Sequence, residues 1–218
     1  MGEKILVFDR GLILGLGELP GITRDYDNIS YFFRQCIPRT YFVDRDEAEL
    51  NESLLQVIPY IVIHHMDTFA TYRRSAKGGE NRLHDKFSIG LGGHVNIDDL
   101  ATAVCTPPDR MMNAIGHGLK SCQELAIMHA IRREVYEEIK WVGTEFINVR
   151  PQILLYDDRD PVGRVHFGIV FESYLKDTPT LKPSEEEIEE FGWKTIDQLR
   201  ELDDRLEGWS RMLLDHIS

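Results

Sequence analysis

The chain has 218 residues, 42% hydrophobic and 28% charged, which suits one domain with an extension, or two small domains, and a core that needs no disulfides or structural metals. Cys36, Cys105 and Cys122 are odd in number, widely spaced and form no CxxC pair, which argues against a disulfide framework or a zinc knuckle and for a reducing compartment. A formal net charge of −12 repels phosphate backbones and argues against broad nucleic-acid binding; a phosphate-bearing substrate would need cations to bridge it to the protein.

The first residues, Met1 to Val7, lack the basic start and long apolar run of a signal peptide. No segment approaches the ~18 apolar residues of a membrane helix. The expectation is a cytoplasmic protein with no membrane partner. Residues 4–8 and 12–14 read as short strands broken by Gly11, Gly15 and Gly17. Residues 28–35 read as a short helix closed by Pro38, and Asp44 to Gln56 as a helix with an acidic start. The β-branched run from Val57 to Ile63 and the segment Phe69 to Arg73 predict two strands joined by a turn at Met66-Asp67. A boundary near residue 56 would separate an N-terminal extension, 1–55, packed on a main domain, 56–218.

Ser75 to Asp85 reads as a loop, and Lys86 to Asn96 as a strand entering the glycine-rich turn Gly92-Gly93-His94. Residues 100–120 read as an irregular insertion. Ser121 and Glu124 form a capping-box pattern that opens a helix expected to run to about Ile139. Beyond it, 147–155, 165–174 and 191–195 are expected strands, and 196–204 and 208–217 expected helices. Strands and helices mixed throughout predict an α/β (α+β) sandwich around a mixed sheet.

The chemistry concentrates on Arg133-Glu134-Val135-Tyr136-Glu137-Glu138. At about 100° per residue, Leu125, Met128, Ile131, Val135 and Ile139 form a core-facing stripe. Glu134, Glu137 and Glu138 share the sector beside it, at the rim of the core. Like charges at this spacing repel by roughly 0.2–0.5 kcal/mol per pair. The helix dipole disfavours anions in the last turn by ~0.3–1 kcal/mol each. Bound Mg²⁺ or Mn²⁺ would reverse both penalties. Arg133, one turn before Glu137, is placed to orient it by an ion pair. On charge pattern alone, a solvated acidic face serves equally well.

The segment Arg133 to Glu138 resembles the core of the Nudix box, G-x5-E-x7-R-E-U-x-E-E-x-G-U with U aliphatic. In family order, the strand pair 57–73 precedes it, Gly92-Gly93-His94 looks like the turn that opens the box, and Trp193 to Leu199 looks like the closing tryptophan and helix. The resemblance covers roughly 56–218 and implies a Nudix-type α/β/α sandwich with a mixed sheet. With Gly93 as the box glycine, the first acidic position falls on Asp99, and residues 100–132 split the motif. A rival alignment starts from Gly118 and Glu124 but leaves eight residues before Arg133, one too many; Gly93 is preferred, because a strand leads into it and the double glycine fits the turn. Lys140 replaces the last box glycine, so a lysine would have to take the left-handed conformation at a cost of ~1 kcal/mol, unless Gly143 ends the helix.

By this resemblance, Glu134, Glu137 and Glu138 would hold Mg²⁺ or Mn²⁺, with the Gly93 carbonyl as an added ligand. Glu134 would be the general base, Glu186 or Glu187 the outside candidates, and Arg133 and Glu137 the other catalytic candidates. The substrate would be a small-molecule diphosphate, with Arg73, Arg74 and His94 as candidate contacts and Lys77 and His166 behind them. For Arg73, Arg74 and Lys77 the plainer reading is a basic loop on an acidic protein; for the two histidines it is a structural role. Competing classes are a non-catalytic Nudix-fold binding module, which should have lost carboxylates that are all present here, and a diphosphate isomerase, whose Asn-Thr-Cys strand motif is absent. A homodimer is left open. Specificity is expected to reside in residues 1–55 and in the insertion.

Overall fold

The apolar run predicted from Val57 opens three residues earlier and forms a 12-residue strand, Leu54–His65, buried along almost its whole length. A strand covered on both faces reads as a continuous apolar run rather than an alternating one, so its β-branched composition, not a period, located it. The computed structural model of the chain describes residues 2–17, 19–74, 85–105, 121–140, 150–175 and 188–217. In chain order the elements are β1 (Lys4–Asp9), β2 (Gly21–Thr23), α1 (Tyr26–Tyr31), β3 (Tyr41–Asp44), α2 (Arg45–Ala48), β4 (Leu54–His65), β5 (Thr68–Arg74), β6 (Phe87–Ser88), β7 (Gly90–Gly92) and α3 (Ile97–Cys105). They continue with α4 (Cys122–Ile139), β8 (Arg150–Tyr156), β9 (His166–Leu175), β10 (Ile188–Thr195), α5 (Ile196–Arg200) and α6 (Gly208–Leu213). The fold is mixed α+β with a mixed, multi-stranded sheet.

The chain divides into two units, Met1–Tyr60 with Gly92–Arg132 and Arg150–Phe171, and Ile61–Leu91 with Arg133–Val149 and Glu172–Ser218. Strands β4 and β9 and helix α4 pass from one to the other. In the first unit, β1 pairs antiparallel with β3 (Lys4↔Asp44 to Val7↔Tyr41) and with the start of β4 (Val7↔Gln56 to Asp9↔Leu54). Strand β8 pairs with β2 through Gly21↔Tyr156. Its aromatic centre joins Phe8 of β1, Phe32 and Phe167 of β9, with ring centroids 4.9 to 5.6 Å apart. All three rings are fully buried, and such edge-to-face and offset pairs add about 0.5–1.5 kcal/mol each beyond burial.

In the second unit, β5 pairs with β10 from Thr68↔Thr195 to Arg74↔Ile188, with a bulge at Glu190, whose φ is 42°. Strand β6 pairs with β5 through Tyr72↔Ser88. The hairpin between β4 and β5 closes on Met66-Asp67 as expected; Met66 takes φ 49°, the hand a two-residue turn needs to match strand twist. A buried polar group is satisfied internally: Ser88 donates to Glu207 at 2.6 Å, and Ser210 bridges the Ile89 amide (3.0 Å) and Glu207 (3.2 Å). Helix α5 opens with a full capping box on Thr195 and Gln198.

Several local expectations are corrected. Residues 12–14 are not a strand but part of a 3-10 turn, Arg10–Gly15, because the chain buries only Ile13 and Leu16, three residues apart, and leaves Leu14 in solvent. The helix expected over Asp44 to Gln56 shrinks to α2, since β4 must begin at Leu54 to pair with β1; sheet pairing overrides helix propensity there. The 28–35 helix is real but widens after Tyr31 into a π turn, Phe32–Cys36. The first part of the expected insertion is helix α3, and 106–120 lies outside the described residues. Among the described residues no helix is long and apolar enough to cross a membrane. Cys36 and Cys122 are free thiols, and burial pushes the Cys36 thiol up to about 11 despite the opposing charge of Arg39.

Candidate active site

Helix α4 starts where the cap pattern placed it, with the Glu124 amide donating to Ser121 Oγ at 3.2 Å, and ends at Ile139. Its buried side chains are Ala126, Ile127, Met128, Ala130, Ile131, Val135 and Ile139, a wider arc than the predicted stripe, while Leu125 is only half-buried. At about 100° per residue the added members, Ala126, Ile127 and Ala130, share the sector that Glu134, Glu137 and Glu138 occupy further along. Glu134 and Glu138 therefore sit deeper than a rim, while Glu137 stays open to solvent. Glu138 is 8% exposed, and the Glu134 and Glu137 side chains are 14% and 44% exposed.

Arg133 Nη1 donates to Glu134 Oε1 at 2.6 Å and to Glu137 Oε2 at 3.2 Å. One nitrogen thus ties two of the three carboxylates into a fixed relation. Charge-assisted bonds of this kind are about twice as strong as neutral ones.

Lys140 ends the helix itself, at φ 48°, with its amide donating to the Tyr136 carbonyl at 3.0 Å. This is the left-handed cap that a glycine would enter without strain. The Lys140 ammonium lies 5.1 Å over the Tyr136 ring, a partial compensation. Lys140→Gly is expected to raise stability by about 0.5–1 kcal/mol, read as a higher urea midpoint at unchanged m. A lower midpoint would mean that the cation–ring contact outweighs the backbone strain.

The other candidates fall elsewhere. Arg73 is held by three carboxylates, Asp85 at 2.8 Å, Glu189 at 3.0 Å and Glu190 at 3.3 Å, a clamp across β5 and β10. Arg74 pairs with Ile188 at the end of β5; its side chain, Lys77, Glu186 and Glu187 lie outside the described residues. Gly93 and His94 follow β7 in the first unit. The glycine before them is needed for close approach: a Cβ on Gly92 would stand 2.7 Å from the Pro59 carbonyl oxygen. His94 Nε2 lies 2.7 Å from Gln56 Oε1 and 3.3 Å from His166 Nε2. Asp99 is buried at the start of α3, where its carboxylate accepts the Asn96 amide at 2.9 Å in a capping arrangement.

The family model described as the NUDIX domain matches residues 117–217. Protein YmaB of Bacillus subtilis (strain 168) is 31% identical over 219 residues, covering 99% of this chain and 97% of YmaB. The chain belongs to the Nudix hydrolase family. The solved structure of Tm1382, assigned to the Nudix hydrolases, is 26% identical and superposes with a TM-score of 0.65 over 99% of this chain and 100% of its own. A Nudix hydrolase from Alicyclobacillus acidocaldarius shares the fold at 12% identity and a TM-score of 0.51, over 74% of this chain and 90% of its own. The stretch matched by the family model holds Arg133 to Glu138 and begins just before Gly118, so it includes Glu124 and leaves Gly93 outside. In this Nudix hydrolase the helix expected to carry the box glutamates is α4.

Proposed function

We propose that this Nudix hydrolase cleaves the diphosphate bond of a nucleoside-diphosphate-linked or related small molecule with Mg²⁺ or Mn²⁺ held by Glu134, Glu137 and Glu138. The observation that carries this reading is Arg133 Nη1 shared between Glu134 and Glu137, with Glu138 sheltered beside them. Like charges at this spacing repel, and the last turns of a helix oppose anions, so a cation beside the three carboxylates would be favoured. The donor set is all hard oxygen, the kind Mg²⁺ takes together with waters and phosphates, so the residues fit the ion. When bound, the ion supplies positive charge to the diphosphate and lowers the pKa of a water. The Gly93 carbonyl is proposed as a further ligand on family grounds.

Glu134 is the proposed base that accepts the proton of the attacking water as oxygen adds to phosphorus and a phosphate or nucleotide leaves. Arg133 acts through Glu134 and Glu137 as a positioning residue. Arg73, Arg74 and His94 remain proposed substrate contacts; at Arg73 a phosphate must displace a carboxylate from the clamp. The acidic balance and the free thiols fit a small-molecule substrate, rather than nucleic acid, in the cytoplasm. Residues 1–55 and the 100–120 segment are the proposed source of specificity.

The test is phosphorus NMR of nucleoside diphosphate and dinucleotide substrates in ¹⁸O-water with Mg²⁺ or Mn²⁺. Turnover of one compound, with label in one product phosphate, is the expected result and locates the attacked phosphorus. A chain that binds no Mn²⁺ would overturn the metal assignment and the mechanism with it.

A further inference from the structure

Glu49, His94 and His166 come together in the first unit, with one ligand atom from each lying within 4.8 Å of the others. Glu49 caps the end of α2, His94 follows β7, and His166 opens β9. We infer that these three side chains form a second metal site that takes a borderline divalent cation of the Zn²⁺ class, chemically distinct from the all-carboxylate set on α4.

The two Nε2 atoms face each other at 3.3 Å. Two imidazoles bound to one tetrahedral Zn²⁺ at ~2.0–2.1 Å place their nitrogens roughly 3.3–3.4 Å apart. The His166 ring is also fixed in the tautomer a metal needs: Nδ1 lies 2.7 Å from the Val162 carbonyl oxygen, which can only accept. The proton must be on Nδ1, so a neutral ring turns its Nε2 lone pair toward His94. A ring nitrogen donating to a backbone carbonyl is the usual outer support of a metal-binding histidine.

Gln56 holds His94 in place in the free protein. It is wholly buried at the start of β4, and its Oε1 lies 2.7 Å from His94 Nε2, while its Nε2 finds no hydrogen-bond partner among the described residues. An amide oxygen only accepts, so His94 Nε2 carries a proton in the free protein; a bound cation would displace that proton, and the Gln56 oxygen would then face the cation. Glu49 is exposed, with one oxygen 3.6 Å from Arg45, and has rotamer freedom to close on the pair. Two imidazole nitrogens with a carboxylate suit Zn²⁺ better than Mg²⁺, which prefers oxygen alone.

The test uses the full chain stripped with chelator and titrated with Zn²⁺ against a chromophoric competitor in excess Mg²⁺, which occupies carboxylate sites. Co²⁺ serves as a second probe, since tetrahedral nitrogen ligation gives strong visible bands. One equivalent of Zn²⁺ is expected to resist Mg²⁺. His166→Gln and the conservative surface change Glu49→Gln should each weaken binding by at least about 10-fold. Glu137→Gln should leave it unchanged. Binding unaltered in both site variants, or abolished in Glu137→Gln, would overturn the assignment. Because the readout is metal affinity, failure here is separable from failure of the hydrolase reading.

Discussion

Glu134→Gln is expected to lower kcat for diphosphate hydrolysis by roughly 10²–10⁴-fold while leaving the melting temperature equal or higher. The two halves of this result have different causes. An amide keeps the shape of the side chain and can still accept from Arg133 Nη1, now 2.6 Å from Glu134 Oε1, so the local packing survives. It removes one anion from a trio spaced at i,i+3 and i,i+4, which relieves roughly 0.2–0.5 kcal/mol per like-charged pair, and it lightens the load on the helix dipole. What is lost is the charge that accepts a proton and holds the ion. Steady-state kinetics beside a thermal melt separate these effects. A variant that lost activity and stability together would point to a structural Glu134 and remove it from the catalytic role. A variant with wild-type kcat would move the base to another carboxylate.

Gly163→Ala is expected to destabilise the fold by about 3 kcal/mol, equivalent to a fall of roughly 6–12 °C in Tm. A Cβ at this position would overlap the Asp157 carbonyl oxygen, a backbone atom that cannot swing aside. The surrounding loop has little slack. Asp160 accepts the Val162 and Gly163 amides at 2.8 and 2.9 Å, and Asp157 is locked to Arg159 at 2.6 Å. That bond holds the Asp157 carboxyl below the usual carboxylate range, against the opposing effect of burial. The control is Gly192→Ala in β10, where a Cβ meets nothing within 4 Å, and a change within about 0.5 kcal/mol is expected. Equal melting of the two variants would show that the loop can relax, and the close approach would then carry no energetic weight. Because Gly163 opens the short turn that delivers His166 to β9, its loss should also weaken Zn²⁺ at the histidine pair.

Legibility in the sequence followed the range of the forces involved. Helix α4 could be read from Ser121 to Ile139 because its cap, apolar period and charge sector are all local. The β4–β5 hairpin was equally legible, its two apolar runs being separated by a two-residue turn. The family followed from Arg133 to Glu138 for the same reason, since the charged residues that carry the resemblance lie close together on one helix. Segments whose conformation depends on distant partners were misread. Asp44 to Gln56 has helix-forming composition, yet its last three residues answer to β1, 45 to 49 residues earlier in the chain.

By itself, then, the sequence determined the mixed α+β class, the helix with its three carboxylates and the Arg133–Glu137 ion pair, because spacing along one element sets which side chains can meet. The tertiary structure alone decided the depth of Glu138, the carboxylate clamp on Arg73, the capping role of Asp99 and the meeting of Glu49 with His94 and His166. Burial and convergence across long stretches of chain depend on how strands pair and close on one another, and no local period in the residues records that.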